Sequence, residues 1–142
     1  MEIRDTKLED FKEILPLFYQ LWPNKKIDEY DLKRVFERGI ASEYDRYITA
    51  EIDGAIVGFC AYSIMNNFWQ EGIIGYIYTM IVDEKYRGKG IGKTLLEAAC
   101  IKAKTMGCKK MELDSGFQRE DAHRFYENNQ FVKRAFLFSR DL

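Results

Sequence analysis

The sequence predicts a mixed α+β domain with a largely antiparallel sheet and one splayed parallel strand pair. Three β-rich runs, residues 47–52, 55–65 and 73–82, succeed one another with turn signals between them, which is the pattern of an antiparallel meander. The third run then leads through a helical stretch into a further β-rich run at 110–115, and a strand–helix–strand crossover makes a parallel pair. The length of 142 residues, with 46% hydrophobic and 32% charged residues, suits one domain over 1–142 around one core.

The elements follow in order. Residues 2–5 are a short strand. Thr6 and Glu9 stand in the capping-box relation, and Leu8, Phe11, Leu15, Phe18 and Trp22 recur at helical spacing, giving a helix of about 15 residues. Pro16 removes one amide donor and should kink it, and Pro23-Asn24 stops it. A second helix over 28–42 carries Tyr30, Val35, Phe36 and Ile40 as its apolar positions. Asp53-Gly54 marks the turn of a hairpin, and the loop NNFWQEG separates the second and third β-rich runs. The helix to Met106 aligns Ile91, Leu95, Ala99 and Ala103 and ends at Gly107. A last helix over 119–129 precedes one or two closing strands over 131–140. The expected order is β-α-α-β-β-β-α-β-α-β.

Composition excludes several classes. A formal net charge of -1 and a pI near 5.9 argue against nucleic acid as the main partner. No apolar run approaches a bilayer span, and the polar start MEIRDTKLED is unlike a signal peptide, so a cytoplasmic protein without membrane contact is expected. Cys60, Cys100 and Cys108 form no CxxC pair, and with one histidine no metal site is expected; they read as buried reduced thiols.

The chemistry-bearing stretch is YRGKGIG at 86–92, followed by Lys93 and Thr94. It lies between a strand and a helix, where unpaired amides and a partial positive charge attract anions. Glycines let the backbone approach an anion closely, and Arg87, Lys89 and Lys93 add positive charge. The P-loop pattern GxxxxGK[ST] fails because position 87 is Arg where its first Gly belongs. The dinucleotide fingerprint GxGxxG fails from either glycine, since Lys93 or Leu95 fills its third position, although Asp114 lies at a suitable distance. The pattern [RQ]xxGx[GA] is met by Arg87, Gly90 and Gly92.

Through that pattern, the element order and the stretch DAHRFYENNQF at 121–131, the chain resembles the GNAT superfamily of acyl-CoA-dependent N-acyltransferases over essentially its whole length. The resemblance implies acetyl-CoA as co-substrate, with its pyrophosphate on Arg87, Gly88, Lys89, Gly90, Ile91 and Gly92, and Lys93 and Thr94 opening the helix. Met80, Ile81 and Val82 would bind the pantetheine arm by main chain, and amides near Met80 and Ile81 would polarise the thioester carbonyl. Tyr126 is implied as the donor to the leaving sulfur, since a phenol stays protonated at neutral pH.

Other positions depart from the family. Relatives often carry a carboxylate where Tyr78 and Thr79 stand, so the base is left among Glu71, Glu112, Asp114 and water. Arg119 replaces a common Asn, and Gln130 replaces the glycine usual before the last motif Phe, which leaves Asn129 or Gln130 to cap the helix. A Ser115-His123-Asp114 triad is disfavoured because no GxSxG elbow is present and the three lie close in sequence, so His123 reads as a solvent-facing or cofactor-edge residue. The expected acceptor is a primary amine on a small molecule, attacking directly in a ternary complex. Its pocket would draw on the first helix, residues 22–26 and Asn67-Phe68-Trp69. A protein or peptide N-acetyltransferase and a non-catalytic acyl-CoA-binding module are the alternatives, and a homodimer is left open.

Overall fold

The computed structural model describes residues 1–142, which divide into two compact units, Met1–Glu112 and Leu113–Leu142. The sheet has the order β1(Glu2–Asp5), β2(Asp45–Ile52), β3(Ala55–Asn67), β4(Gly72–Val82), β5(Met111–Leu113). The first four strands pair antiparallel, and β5 runs parallel to β4. Asp53 and Gly54 both take positive φ, 49° and 80°, as a tight two-residue hairpin between β2 and β3 requires.

Helices α1(Phe11–Leu21) and α2(Glu29–Ala41) cover one face of the sheet. Their core joins Phe11, Ile14, Leu17, Phe18 and Phe36 to Tyr47, Phe59 and Ile81. Side chains alternate along a strand, so Gly58, next to Phe59, faces the other layer. There Leu95 of α3(Ile91–Thr105) comes within 3.3 Å of the position a Gly58 Cβ would take. The stripe Ile91, Leu95, Ala99 and Ala103 is buried as its spacing predicts. A Schellman motif closes α3: Gly107 (φ 97°) donates to Lys104 O at 3.0 Å and Cys108 to Ala103 O at 3.0 Å.

The first helix begins later than the sequence suggests. Thr6 stays with the sheet, its amide bonded to Tyr47 O at 2.9 Å, and its hydroxyl is buried without a partner. The cap is shifted by one residue, with Asp10 Oδ2 accepting from the Lys7 amide at 2.7 Å ahead of α1. Asp10 also takes the Arg4 guanidinium at 2.7 Å, and Arg4 Nε reaches Glu51 Oε2 at 2.8 Å, tying the helix start to β1 and β2. Pro16 lies within α1, and Asp28 caps α2 through the Asp31 amide at 3.0 Å. In α2 only part of the expected apolar face is inward. Phe36 is buried, while Tyr30 and Val35 are exposed because Leu32, Phe36 and Ile40 define the inner stripe. Cys60 is buried, Cys100 and Cys108 are half-buried, and all three are unpaired; burial pushes each thiol up.

The second unit contains α4(Glu120–Asn128). The closing strands expected over 131–140 do not form; residues 131–142 take no regular structure. Val132, Phe136, Leu137 and Phe138 are exposed, so these residues bury too little to define a sheet face. No helix is long and apolar enough to cross a membrane.

Candidate functional site

The site begins where β4 ends. Asp83 donates its amide to Val57 O at 2.8 Å and caps a 3₁₀ turn, Glu84–Tyr86, by accepting from the Lys85 amide at 2.9 Å. Gln20 of α1 accepts from the Glu84 amide at 3.0 Å, fixing this end of β4 to the first helix. Gly88 (φ 76°) and Gly90 (φ 82°) then adopt left-handed backbone, and Gly90 is the N-cap of α3. A Cβ at either glycine would find nothing within 4 Å, so the loop presents open backbone.

Cations ring this backbone. Arg87 donates its Nε to Val82 O at 2.9 Å, which returns the side chain along the strand end. Lys89 places its ammonium 5.3 Å from the Tyr86 ring centroid, a cation–π contact. Lys93 is exposed in the first turn of α3. Thr94 is committed within the helix, both its amide and its hydroxyl bonding Gly90 O at 3.1 Å. The first-turn amides from Ile91 to Lys93 have no intrahelical acceptor and carry the positive end of the helix dipole. Backbone space, amides and cations together fit a pyrophosphate.

Met80, Ile81 and Val82 pair through β3 with Cys60, Phe59 and Gly58. Ile81 is buried in the core under α1 and α2, while Met80 and Val82 are half-buried. β5 starts beside the other end of β4, where Gly75 donates to Lys110 O and Lys109 to Ile73 O, both at 2.9 Å. Its three residues are too few to accompany the eleven of β4 to their end.

In the second unit, Tyr126 is half-buried on α4, with ring centroids 5.3 Å from Phe125 and 5.8 Å from Phe131. His123 Nε2 lies 2.9 Å from Gly116 O. Arg119 is the N-cap of α4 and makes no cap bond with its side chain. Gln130 takes φ 72°, the conformation that a glycine there would adopt freely.

Two expectations fail on distance. Glu71 precedes β4 and carries φ 52° in a turn whose carbonyl accepts from Lys109 Nζ at 3.3 Å. Nine residues separate it from Met80, about 30 Å at the ordinary strand rise, so it is removed as a base beside that residue. Phe68 and Trp69, 99% and 84% exposed, sit at that same far end. They cannot share a pocket with residues 22–26, which follow the helix that Gln20 ties to the end of β4.

The family model for the acetyltransferase (GNAT) family matches residues 8–131. The chain belongs to the GNAT family. It is an acetyltransferase, and the family uses acetyl-CoA. It is 28% identical over 141 residues to the aminoalkylphosphonate N-acetyltransferase of Salmonella typhimurium, covering 99% of this chain and 91% of that one. It is 29% identical over 133 residues to the glucosamine 6-phosphate N-acetyltransferase of Trypanosoma brucei brucei, covering 92% and 88%. The fold matches an aminoglycoside N-acetyltransferase in complex with CoA at a TM-score of 0.87, with 20% identity and coverage of 99% and 93%.

One cluster on this GNAT sheet is absent from the sequence reading. Tyr78 of β4 donates to Asp45 Oδ1 at 2.6 Å and lies 3.2 Å from the Tyr47 hydroxyl. Burial first, and then the bond to Asp45, push the Tyr78 phenol far above its ordinary range. The partners lie 33 and 31 residues apart, so no local pattern marks them; the signal available was the run of Tyr76, Tyr78 and Thr79 in an otherwise apolar strand.

Proposed function

We propose that this chain transfers an acetyl group from acetyl-CoA to the primary amine of a small molecule, by direct attack in a ternary complex. The observation that carries the reading is the cradle at the end of β4: two glycines at positive φ, open at Cβ, under a helix N-terminus ringed by Arg87, Lys89 and Lys93. Arg87, Gly88, Lys89, Gly90, Ile91, Gly92 and Lys93 would hold the pyrophosphate, with Thr94 fixing the helix start. The main chain of Met80, Ile81 and Val82 would hold the pantetheine arm and stabilise the carbonyl oxygen. Acetyl-CoA supplies the acetyl group on a thioester. Tyr126 would give its phenolic proton to the departing sulfur, a role that suits a group protonated at neutral pH. The two curated relatives support a small amine as acceptor, because the substrates in their names are small amines bearing a phosphonate or a phosphate.

The test is thiol release from acetyl-CoA with aminomethylphosphonate, glucosamine 6-phosphate, an aminoglycoside and a peptide with a free N-terminus. Turnover on a small amine, lowered about 100-fold in kcat by Tyr126→Phe with the acetyl-CoA KM unchanged, is the expected result. Turnover confined to the peptide would overturn the acceptor class, and failure to bind acetyl-CoA would overturn the whole reading.

A further inference from the structure

The Tyr78–Asp45 pair stands on the strand that leads to the cradle, and the reading above leaves it unused. In the β3–β4 ladder Ala61 pairs with Thr79 and Tyr62 with Ile77, so Tyr78 is an extra residue in β4 with no partner opposite. Such a bulge re-aims a side chain. Here it turns Tyr78 toward the layer of α1 and α2, where its ring meets that of Tyr47 at 6.4 Å between centroids. Asp45 opens β2, and the bond between them therefore spans β3. Tyr78 remains 40% exposed and Asp45 half-buried, so the pair is reachable from solvent.

The donor inventory fixes the orientation of the phenol. Tyr78 has one proton and two lone pairs. The carboxylate at 2.6 Å is the stronger acceptor and takes that proton. The Tyr47 hydroxyl lies 3.2 Å from Tyr78 Oη, and with the Tyr78 proton already given to Asp45 the two can bond only with Tyr47 as donor. One lone pair of Oη remains, held as an acceptor beside a negative charge.

We propose that Tyr78 Oη accepts an N–H of the incoming amine, with Asp45 as the positioning residue that, through its bond to the phenol, keeps this oxygen an acceptor and makes it the better partner for an ammonium. The inference rests on the reading that Met80–Val82 hold the thioester, since Tyr78 lies two residues before Met80, about 7 Å along the strand. Such a group selects compact cationic amines over uncharged nucleophiles.

The experiment uses the full chain and the variants Tyr78→Phe, Asp45→Asn and the double variant. The readouts are amine affinity for the enzyme–CoA complex by calorimetry, steady-state kinetics and acetyl-CoA affinity. The probes are aminomethylphosphonate and glucosamine 6-phosphate. Each single variant should weaken amine binding and raise amine KM about tenfold or more, with acetyl-CoA affinity within about twofold of wild type. The double variant should be no worse than Tyr78→Phe alone, because Asp45 acts through Tyr78. Wild-type amine KM in Tyr78→Phe, or losses that multiply in the double variant, would overturn the inference and leave the proposed function standing. A wild type that binds acetyl-CoA but neither binds nor acetylates any small amine of the panel above would overturn both. Should Tyr78→Phe fail to fold, Asp45→Asn alone decides through the same split between amine and acetyl-CoA affinities.

Discussion

Gly39 of α2 lies against Tyr47 of β2 so closely that a Cβ on Gly39 would stand 1.8 Å from the tyrosine oxygen and 2.2 Å from Cζ. Tyr47 is only 8% exposed and is wedged among Phe36, Phe59 and Tyr78, so it has nowhere to retreat. Gly39→Ala gains about 0.5–1 kcal/mol of helix preference but must displace a packed ring, which costs about 1–3 kcal/mol. The expected net is a loss of about 1–2 kcal/mol in urea denaturation. An unchanged or raised stability would show that α2 can move off the sheet without cost.

Gly90 poses the opposite case. Its φ of 82° disfavours any side chain, yet no atom would meet a Cβ there within 4 Å. Gly90→Ala should therefore cost about 1–2 kcal/mol through backbone strain alone. If the loop cradles a pyrophosphate, the methyl also enters the space of the anion, and acetyl-CoA affinity should fall about tenfold or more. Calorimetric titration beside a thermal melt separates the two effects. A full stability loss with acetyl-CoA affinity retained would remove Gly90 from the binding surface.

What the sequence made legible is what short-range physics decides. The stripe Ile91, Leu95, Ala99 and Ala103 shows its buried face in its own spacing, and Asp53-Gly54 announces its turn by residue type. Asp28 and Ser42 flank α2 where the pattern puts its ends. The readings that failed depend on partners distant in the chain. Thr6 looks like a cap until the Tyr47 carbonyl claims its amide. Tyr30 and Val35 look inward until the sheet is laid under Leu32 and Phe36. Phe68 and Trp69 resemble pocket walls, but a hairpin end far from the glycine loop holds them. The bulge at Tyr78 arises in pairing with β3, so no window around Tyr78 contains it.

The Arg4–Asp10 pair predicts an acid-sensitive contribution to stability. Burial alone would raise the Asp10 carboxyl, but the Arg4 guanidinium at 2.7 Å and the Lys7 amide outweigh it and hold it below the usual carboxylate range. A carboxylate depressed in the folded state stabilises the fold above its unfolded value near 3.9, and loses that contribution as pH falls through the folded value. Asp10→Asn should cost about 2–3 kcal/mol at pH 7, because Arg4 and the Lys7 amide lose a charged acceptor. The gap between wild type and variant should narrow steadily below about pH 4 in denaturation curves. A gap that stays constant down to pH 2 would mean the pair contributes packing and no charge.

Gln130 occupies a position built for glycine. The Phe131 amide donates to Tyr126 O at 3.0 Å and the Gln130 amide to Glu127 O at 3.2 Å, while the Phe131 and Tyr126 rings meet at 5.8 Å. These are the two bonds and the apolar contact of a Schellman motif, with Gln130 as its left-handed residue at φ 72°. Gln130→Gly relieves about 1–2 kcal/mol of backbone strain and gives back about 0.5–1 kcal/mol through a freer unfolded chain. The variant should thus be more stable by about 0.5–1 kcal/mol, and Gln130→Val, β-branched at positive φ, should be less stable than wild type. Thermal denaturation of the three proteins orders them. Gln130→Gly at or below wild-type stability would mean that the glutamine side chain contributes more than its backbone strain costs.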